Sequence, residues 1–426
     1  MDAELITNLN SMIVLLFCAL SAYQYIYILV SVLFSSRRFT TAKEHRYAVL
    51  ICARNEENVI AQLIDSIKKQ DYPSELVDIY LLADNCTDQT AAVAEAAGAI
   101  VYERHDLTKI GKGYAMHTLL TRLRQDKGEE YYDGYFVFDA DNLLAPDYIR
   151  QMNTVFSNGY RIVTSYRNSK NFCHNWVPAG YGVMFLREAR HMNNARMILH
   201  SSCAVSGTGF LVHRDIINEN DGWPYYTLTE DLEFTMDRIA KGDRIGYCHD
   251  AIFYDEQPTK FRQSWSQRIR WTKGFIQAFF KRGGAVLRGM FTKRCGFSCF
   301  DEIVSTMPNI LLAFFGAISA VTMVYSLIFV DGYDFSHFLQ SFIMYLGSIY
   351  AVNFFLGLLT IITEWKKING STGRKIRYAF TFPLFMMTGV PINIVAVFVK
   401  VKWKHIEHSD ATTIDQISTT GTKNKA

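Results

Sequence analysis

Apolar positions follow two different rhythms along this chain. Residues 12–34, 307–330, 338–363 and 378–399 are nearly unbroken apolar runs, each long enough to cross a bilayer, which takes about 20 residues. From Tyr47 onward the runs are short: YAVLICA (47–53), VDIYLLAD (77–84), IVYE (100–103) and YFVFDAD (135–141). Between them lie stretches of helical character at 57–70, 90–97 and 111–125. Strands alternating with helices predict an α/β body with a mostly parallel sheet and crossover helices. The chain then divides into an N-terminal membrane anchor (1–36), an α/β body (45–260) and amphipathic helices (261–300). Three further membrane segments (301–405) and a tail of disordered composition (406–426) follow.

Charge orients this plan. Asp2 and Glu4 precede the first run, and Arg37, Arg38, Lys43 and Arg46 follow it, which predicts a multi-pass protein of the cell membrane with its body in the cytosol. The 364–377 loop, with Lys366, Lys367, Arg374, Lys375 and Arg377, should face inward too. Lys400, Lys402 and Lys404 conflict with an outward end for the last run, and Pro383 and Pro391 fit a broken or re-entrant segment there. The side of the C-terminus stays open. A net charge of +3 is too small to argue for nucleic acid as a partner. The eight cysteines are scattered without a paired CxxC set, so they read as reduced thiols rather than a disulfide framework or a zinc site.

The candidate chemistry sits where strands end, the place at which open α/β sheets collect ligands. Ala53, Arg54 and Glu56 stand at or just past the end of the first run, Asp84 ends the second, and Asp139 and Asp141 close the fourth. At period two the last pair would share one side of an extended segment. Two like charges there call for a hard cation, Mg2+ or Mn2+, bridging to a diphosphate. Thr87 and Asp88 have the composition of a turn and helix cap. Lys112 opens a helix and either meets phosphate or is an ordinary exposed lysine; the GxxxxGK(S/T) pattern of a P-loop is absent. In TLTEDLEFT, Glu230 and Asp231 are neighbouring carboxylates able to take a proton from a hydroxyl, although acidic pairs also decorate solvated helix faces. In QSWSQRIRW, one helical turn brings together Gln267, Arg268, Arg270 and Trp271, where a guanidinium beside an indole suits phosphate and a flat ligand. The aromatic and basic stretches at 171–202 and 263–287 read either as core helices or as interfacial helices under a bilayer. Cys248 and His249 read as packing.

The ordered series ARNEE (53–57), DNCTD (84–88), GK (111–112), DAD (139–141), SGTGF (206–210), TED (229–231) and QRIRW (267–271) resembles the inverting family-two glycosyltransferases. Within them it is most similar to membrane-embedded processive polysaccharide synthases of the cellulose, hyaluronan and chitin type. The resemblance covers roughly residues 45–290 and implies a GT-A-like nucleotide-sugar-binding domain. It assigns Ala53, Arg54, Glu56, Asp84, Lys112 and Asp139 to the nucleotide-sugar, with Asp84 on the uridine, and Asp139 and Asp141 to the metal. It makes Asp231 the general base with Glu230 beside it. Gly207, Thr208 and Gly209 would belong to the acceptor wall, and Gln267, Arg268, Arg270 and Trp271 would meet the acceptor and the pyrophosphate. The implied reaction moves glucose or N-acetylglucosamine from a UDP-sugar to a growing β-linked polysaccharide, with export. A single transfer to a membrane lipid is the alternative, and a non-catalytic nucleotide-sugar-binding transporter or sensor is the rival from another class.

Overall fold

The structure is a computed structural model. It describes residues 22–40, 42–306, 335–401, 406 and 408–417, with isolated positions at 12, 15, 19, 318, 321–322 and 324–329. A helix α1 (Tyr23–Leu33) leads into a sheet domain in which β1 (Tyr47–Ala53), α2 (Ile60–Lys68), β2 (Val77–Asp84), α3 (Thr90–Ala96), β3 (Ile100–Arg104), α4 (Lys112–Lys127) and β4 (Gly134–Phe138) succeed one another. Then come β5 (Leu143–Leu144), α5 (Tyr148–Ser157), β6 (Ile162–Ser169), α6 (Trp176–Arg187), a π-turn (Glu188–Asn193), α7 (Asn194–Ile198), β7 (Phe210–His213), α8 (Arg214–Glu219), α9 (Glu230–Ala240) and β8 (Ile245–Asp255). Helices α10 (Phe261–Gly289), α11 (Gly296–Thr306), α12 (Phe335–Thr363), α13 (Thr372–Met387) and α14 (Gly389–Phe398) complete the fold.

The first half obeys the alternating pattern. β1 pairs in parallel with β2 and β4, and β2 with β3. Tyr47 through Ile51 are essentially inaccessible, as expected for a strand covered on both faces. The sheet as a whole is mixed, in the order β3-β2-β1-β4-β7-β6-β8-β5. β7 runs antiparallel to both β4 and β6, and β5 antiparallel to β8. This corrects the mostly parallel expectation. β7 is only FLVH, following a glycine-rich segment, too short for its direction to show in a pattern.

A second correction concerns the DAD segment. The strand stops at Phe138. The Asn142 amide donates to the Asp139 carbonyl at 3.1 Å, folding the next residues into a turn. The two carboxylates therefore diverge instead of sharing one side of a strand. The 171–202 stretch resolves as the core reading: Val177, Tyr181 and Phe185 of α6 are buried with Phe385 of α13, and Trp271 packs against them.

Two helical stretches, Phe342–Thr363 and Thr372–Phe398, are long and apolar enough to cross a membrane. The second is interrupted at Thr388, between α13 and α14. Most of the 307–330 run and, apart from isolated positions, the first part of the 12–34 run up to residue 21 lie outside the described residues. α1 docks on the body through polar groups: Tyr23 and Tyr27 hydroxyls each donate to Asp301 at 2.8 Å, and Arg196 grips the same carboxylate with two bonds at 2.7 and 3.0 Å. The tail expected to be disordered is instead ordered over 408–417 and returns to the sheet domain.

Candidate active site

The site begins at the carboxyl ends of β1 and β2. Asn55 and Asn85 both take left-handed backbone angles, φ 58° and 56°, which Asn tolerates better than other side-chain-bearing residues. The turns are tied together, because the Thr87 amide donates to Asn55 Oδ1 at 2.8 Å. Asp88 lies one residue before Gln89, the N-cap of α3, and accepts from the Thr90 amide at 3.1 Å. Asp84 is buried, and Arg104 donates to it at 2.5 Å. Arg104 is its register partner on β3. Burial pushes the Asp84 carboxyl up, against the pull of that guanidinium. Arg104 was missed in the sequence, although the strand-end argument applied to IVYE would have reached it.

Glu56 is held differently. Its amide donates to Thr90 Oγ1 at 2.7 Å, and both carboxylate oxygens lie 3.0 Å from His408 Nδ1. Burial carries the Glu56 carboxyl up to about 7, even against the His408 hydrogen bond. Burial pulls His408 down, but Asp141 and Glu56 outweigh it and raise the imidazole to about 10. Next to His408, the amides of Ser409 and Asp410 donate to Glu256 at 3.1 and 2.9 Å. The C-terminal segment thus lies as a strap over the Glu56 and Glu256 side of the site. Nothing in the local sequence pattern marks His408.

Lys112 opens α4. Its ammonium pairs with Asp139 and donates to the Gly207 carbonyl at 2.8 Å. Burial works against its charge, but Asp139 and Glu230 outweigh burial and hold it above the ordinary lysine value. The next residue must be glycine, because a Cβ at Gly113 would lie 1.9 Å from the Tyr225 carbonyl oxygen. Asp141 turns the other way and accepts from the Glu256 amide at 2.8 Å. Thr208 and Gly209 stand behind the wall instead of facing the cavity. Thr208 Oγ1 accepts from the Asp139 amide at 2.9 Å, and the Gly209 amide donates to the Val137 carbonyl at 2.9 Å.

Glu230 and Asp231 form the first turn of α9, where exposed amides favour negative charge. They are not on a solvated face. Burial pushes Asp231 up, opposed chiefly by the Leu232 amide, Lys112 and Arg270. Burial and the Asp231 charge together carry Glu230 to about 7. α9 is fixed to α10 through Glu233, fully buried, with Lys281 at 2.8 Å. On α10, Arg270 donates to the Leu228 carbonyl at 3.3 Å, and Trp271 stands edge-on to Tyr181 with ring centres 5.7 Å apart. Gln267 Oε1 is buried and unpartnered among the described residues. Arg268 is braced against α13, 4.4 Å over the Phe385 ring and 2.6 Å from Thr388 Oγ1.

These parts enclose one cavity of about 740 Å³, within the ~300–1,000 Å³ typical of ligand sites. Ala53, Arg54, Glu56, Asp84, Lys112, Asp139 and Asp141 line one end. Gly207, Glu230 and Asp231 stand with Gln267, Arg268, Arg270 and Trp271 along the same cavity. A further ion pair was not foreseen: Arg167 on β6 donates to Asp255 on β8 at 2.7 Å. Glu56, Asp84, Asp139, Asp141, Asp255 and Glu256 all face this space, against the cations Arg54, Lys112, Arg167 and His408. Among the described residues no group of three His, Cys, Asp or Glu side chains is arranged to hold a metal. Asp139 and Asp141 would supply part of a coordination shell, and the surplus of carboxylates suits a hard divalent ion whose remaining ligands are substrate phosphates.

Residues 45–274 match the family model described as glycosyltransferase like family 2. Among known proteins, the chain is 26% identical over 267 residues to the "Probable glycosyltransferase YdaM" of Bacillus subtilis (strain 168), covering 55% of this chain and 58% of that protein. It is 23% identical over 250 residues to the "Beta-monoglucosyldiacylglycerol synthase" of Synechocystis sp. (strain ATCC 27184 / PCC 6803 / Kazusa), covering 56% and 50%. The match thus spans about half the length of these relatives. The mannosyltransferase PcManGT from Pyrobaculum calidifontis, solved with GDP-Man and Mn2+, shares the fold with a TM-score of 0.59. That match is 15% identical and covers 91% of this chain and 99% of that one.

Proposed function

Because the chain belongs to the glycosyltransferase like family 2, we propose that it transfers a sugar from a UDP-sugar to an acceptor hydroxyl by one displacement with inversion at the anomeric carbon. The observation that carries this reading is the shared cavity of Asp84, Lys112 and Asp139 with Asp231, Arg270 and Trp271. Asp231 takes the acceptor proton as the new C1–O bond forms, and the bond from C1 to the diphosphate oxygen breaks with its electron pair on the leaving group. Lys112 and Arg270 are the fixed cations positioned for that developing charge. Asp84, held by Arg104, orients the base and ribose end of the donor. Asp139 and Asp141 would hold Mg2+ or Mn2+, which when bound neutralises diphosphate charge.

For the acceptor, a membrane lipid takes precedence over a growing polysaccharide. The cavity continues past Asp231 to apolar residues of α1, α12 and α14, and one relative is named a beta-monoglucosyldiacylglycerol synthase. That name also favours glucose as the sugar. We read α12 and the α13–α14 pair as membrane spans, with the sheet domain on the cytosolic side. The full chain in detergent, freed of metal and given UDP-glucose, UDP-N-acetylglucosamine or GDP-mannose with diacylglycerol, should release UDP from a UDP-sugar, and no GDP from GDP-mannose, once Mn2+ or Mg2+ is restored. The product should carry a β-linked sugar by NMR. Absence of nucleotide release from every donor, with acceptor and metal present, would refute the transferase reading. A long glycan as product would restore the polysaccharide reading.

A further inference from the structure

The end of the cavity beyond Asp231 holds charges that neither the sequence motifs nor the reaction above uses. Arg187 closes α6, and Glu188 begins the π-turn that follows. Such a turn inserts an extra residue into a helix and re-aims its side chains, and it occurs frequently at functional sites. Both residues line the cavity. Other charged groups at this end are already engaged: Arg196 with Asp301 at 2.7 Å, and Glu302 accepting from Thr306 Oγ1 at 3.1 Å. Among the described residues Arg187 Nε is buried without a partner, and the Glu188 carboxylate has no hydrogen bond or ion pair. Burial weakens the charge on each, lowering the Arg187 value and raising that of Glu188. The Glu188 carboxyl also feels the charge of Asp231, and the two residues line the same cavity.

Half-buried charges left in this state gain from a ligand that completes their hydrogen bonds. A donor-only guanidinium beside an acceptor-only carboxylate suits a group that both accepts and donates, as hydroxyls do. A phosphate would satisfy Arg187 but meet Glu188 as a like charge. Past this pair the wall becomes Ile28, Met192, Val352 and Leu356, a lining for hydrocarbon. Building on the transferase reading, we propose that Arg187 and Glu188 form the acceptor-binding pair. They grip the uncharged, hydroxyl-bearing headgroup of a membrane lipid, whose reacting hydroxyl then faces Asp231 while its chain lies along α1 and α12.

Binding, which needs no turnover, tests this separately from the reaction. The full chain in nonionic detergent is titrated with labelled dioctanoylglycerol, dioctanoyl phosphatidic acid and a neutral glucose oligosaccharide. The expected result is saturable binding of dioctanoylglycerol, at least tenfold tighter than phosphatidic acid, and weakened at least tenfold by Glu188→Gln and by Arg187→Gln. Glu188→Asp, with an unchanged melting temperature, should stay within threefold of the parent and so excludes misfolding as the cause. Equal binding by the parent and both glutamine variants would overturn the proposal. So would phosphatidic acid binding as tightly as the neutral lipid, or binding of the oligosaccharide in place of the lipid. Lipid binding that obeys the pattern in a chain that releases no UDP from any donor would sink the transferase reading while leaving the headgroup site standing.

Discussion

Replacing Asp231 by asparagine removes the proposed base with almost no change in shape. The carboxylate stands against the backbone of Gly207, where an added Cβ would lie 3.5 Å from Asp231 Oδ2, and an amide fits the same space. Loss of a general base typically costs ~10²–10⁴-fold in rate, or about 3–5 kcal/mol on the barrier. Folding should not suffer, because burial already disfavours the Asp231 charge. The pH profile separates chemistry from structure. A carboxyl whose folded value is raised is ionised only at higher pH, so kcat/KM of the parent should fall on acidification above the ordinary carboxylate range. Glu230, at about 7, extends the fall of the pair toward neutrality. In stability terms the sign is opposite. The protonated Glu230 is favoured in the fold below 4.5, and that contribution is lost as pH rises through about 7. The interval corresponds to about 3 kcal/mol. Glu230→Gln should therefore melt higher than the parent at pH 8 and match it near pH 4. The assay is UDP release with lipid acceptor from pH 5 to 9. An Asp231→Asn enzyme within threefold of the parent rate, with the same acid limb, would refute the assignment of the base.

Four other outcomes follow from the geometry. Chelation should abolish UDP release, and Mn2+ or Mg2+ should restore it in the parent but only weakly in Asp139→Asn, read as a metal titration of activity. Gly209→Ala forces a side chain to φ +66° and puts Cβ 2.2 Å from the Phe253 ring, so a loss of about 2–4 kcal/mol is expected in chemical denaturation. Asp301→Ala strands buried Arg196 and frees Tyr23 and Tyr27. About 3–5 kcal/mol should be lost, with new proteolytic cutting in the 34–46 linker. The contribution of His408 to strap docking is complete below 6.5 and lost as pH rises through about 10. Cleavage of the tail by proteinase K should therefore increase near pH 10, and His408→Gln should show that susceptibility already at pH 8.

β1 and β2 could be read from the sequence, because strands buried on both faces form near-continuous apolar runs, and the loops after them start where those runs break. The same logic located Asp84, Glu56 and the approximate place of Asp139, and the pairing of TED with QRIRW as two sides of one site followed from motif order. Strand direction was not legible in the second half: β7 and β5 have four and two residues, and direction there is set by partners, not by pattern. Nor did period two survive at Asp139 and Asp141, since a local turn outweighs extension once ladder hydrogen bonds end. Arg167 and His408 became visible only through contacts between segments far apart in the chain, and Glu188 only through the cavity it lines. A charged residue looks solvated in sequence, and its burial depends on which distant carboxylate, helix or cavity the folded chain sets against it.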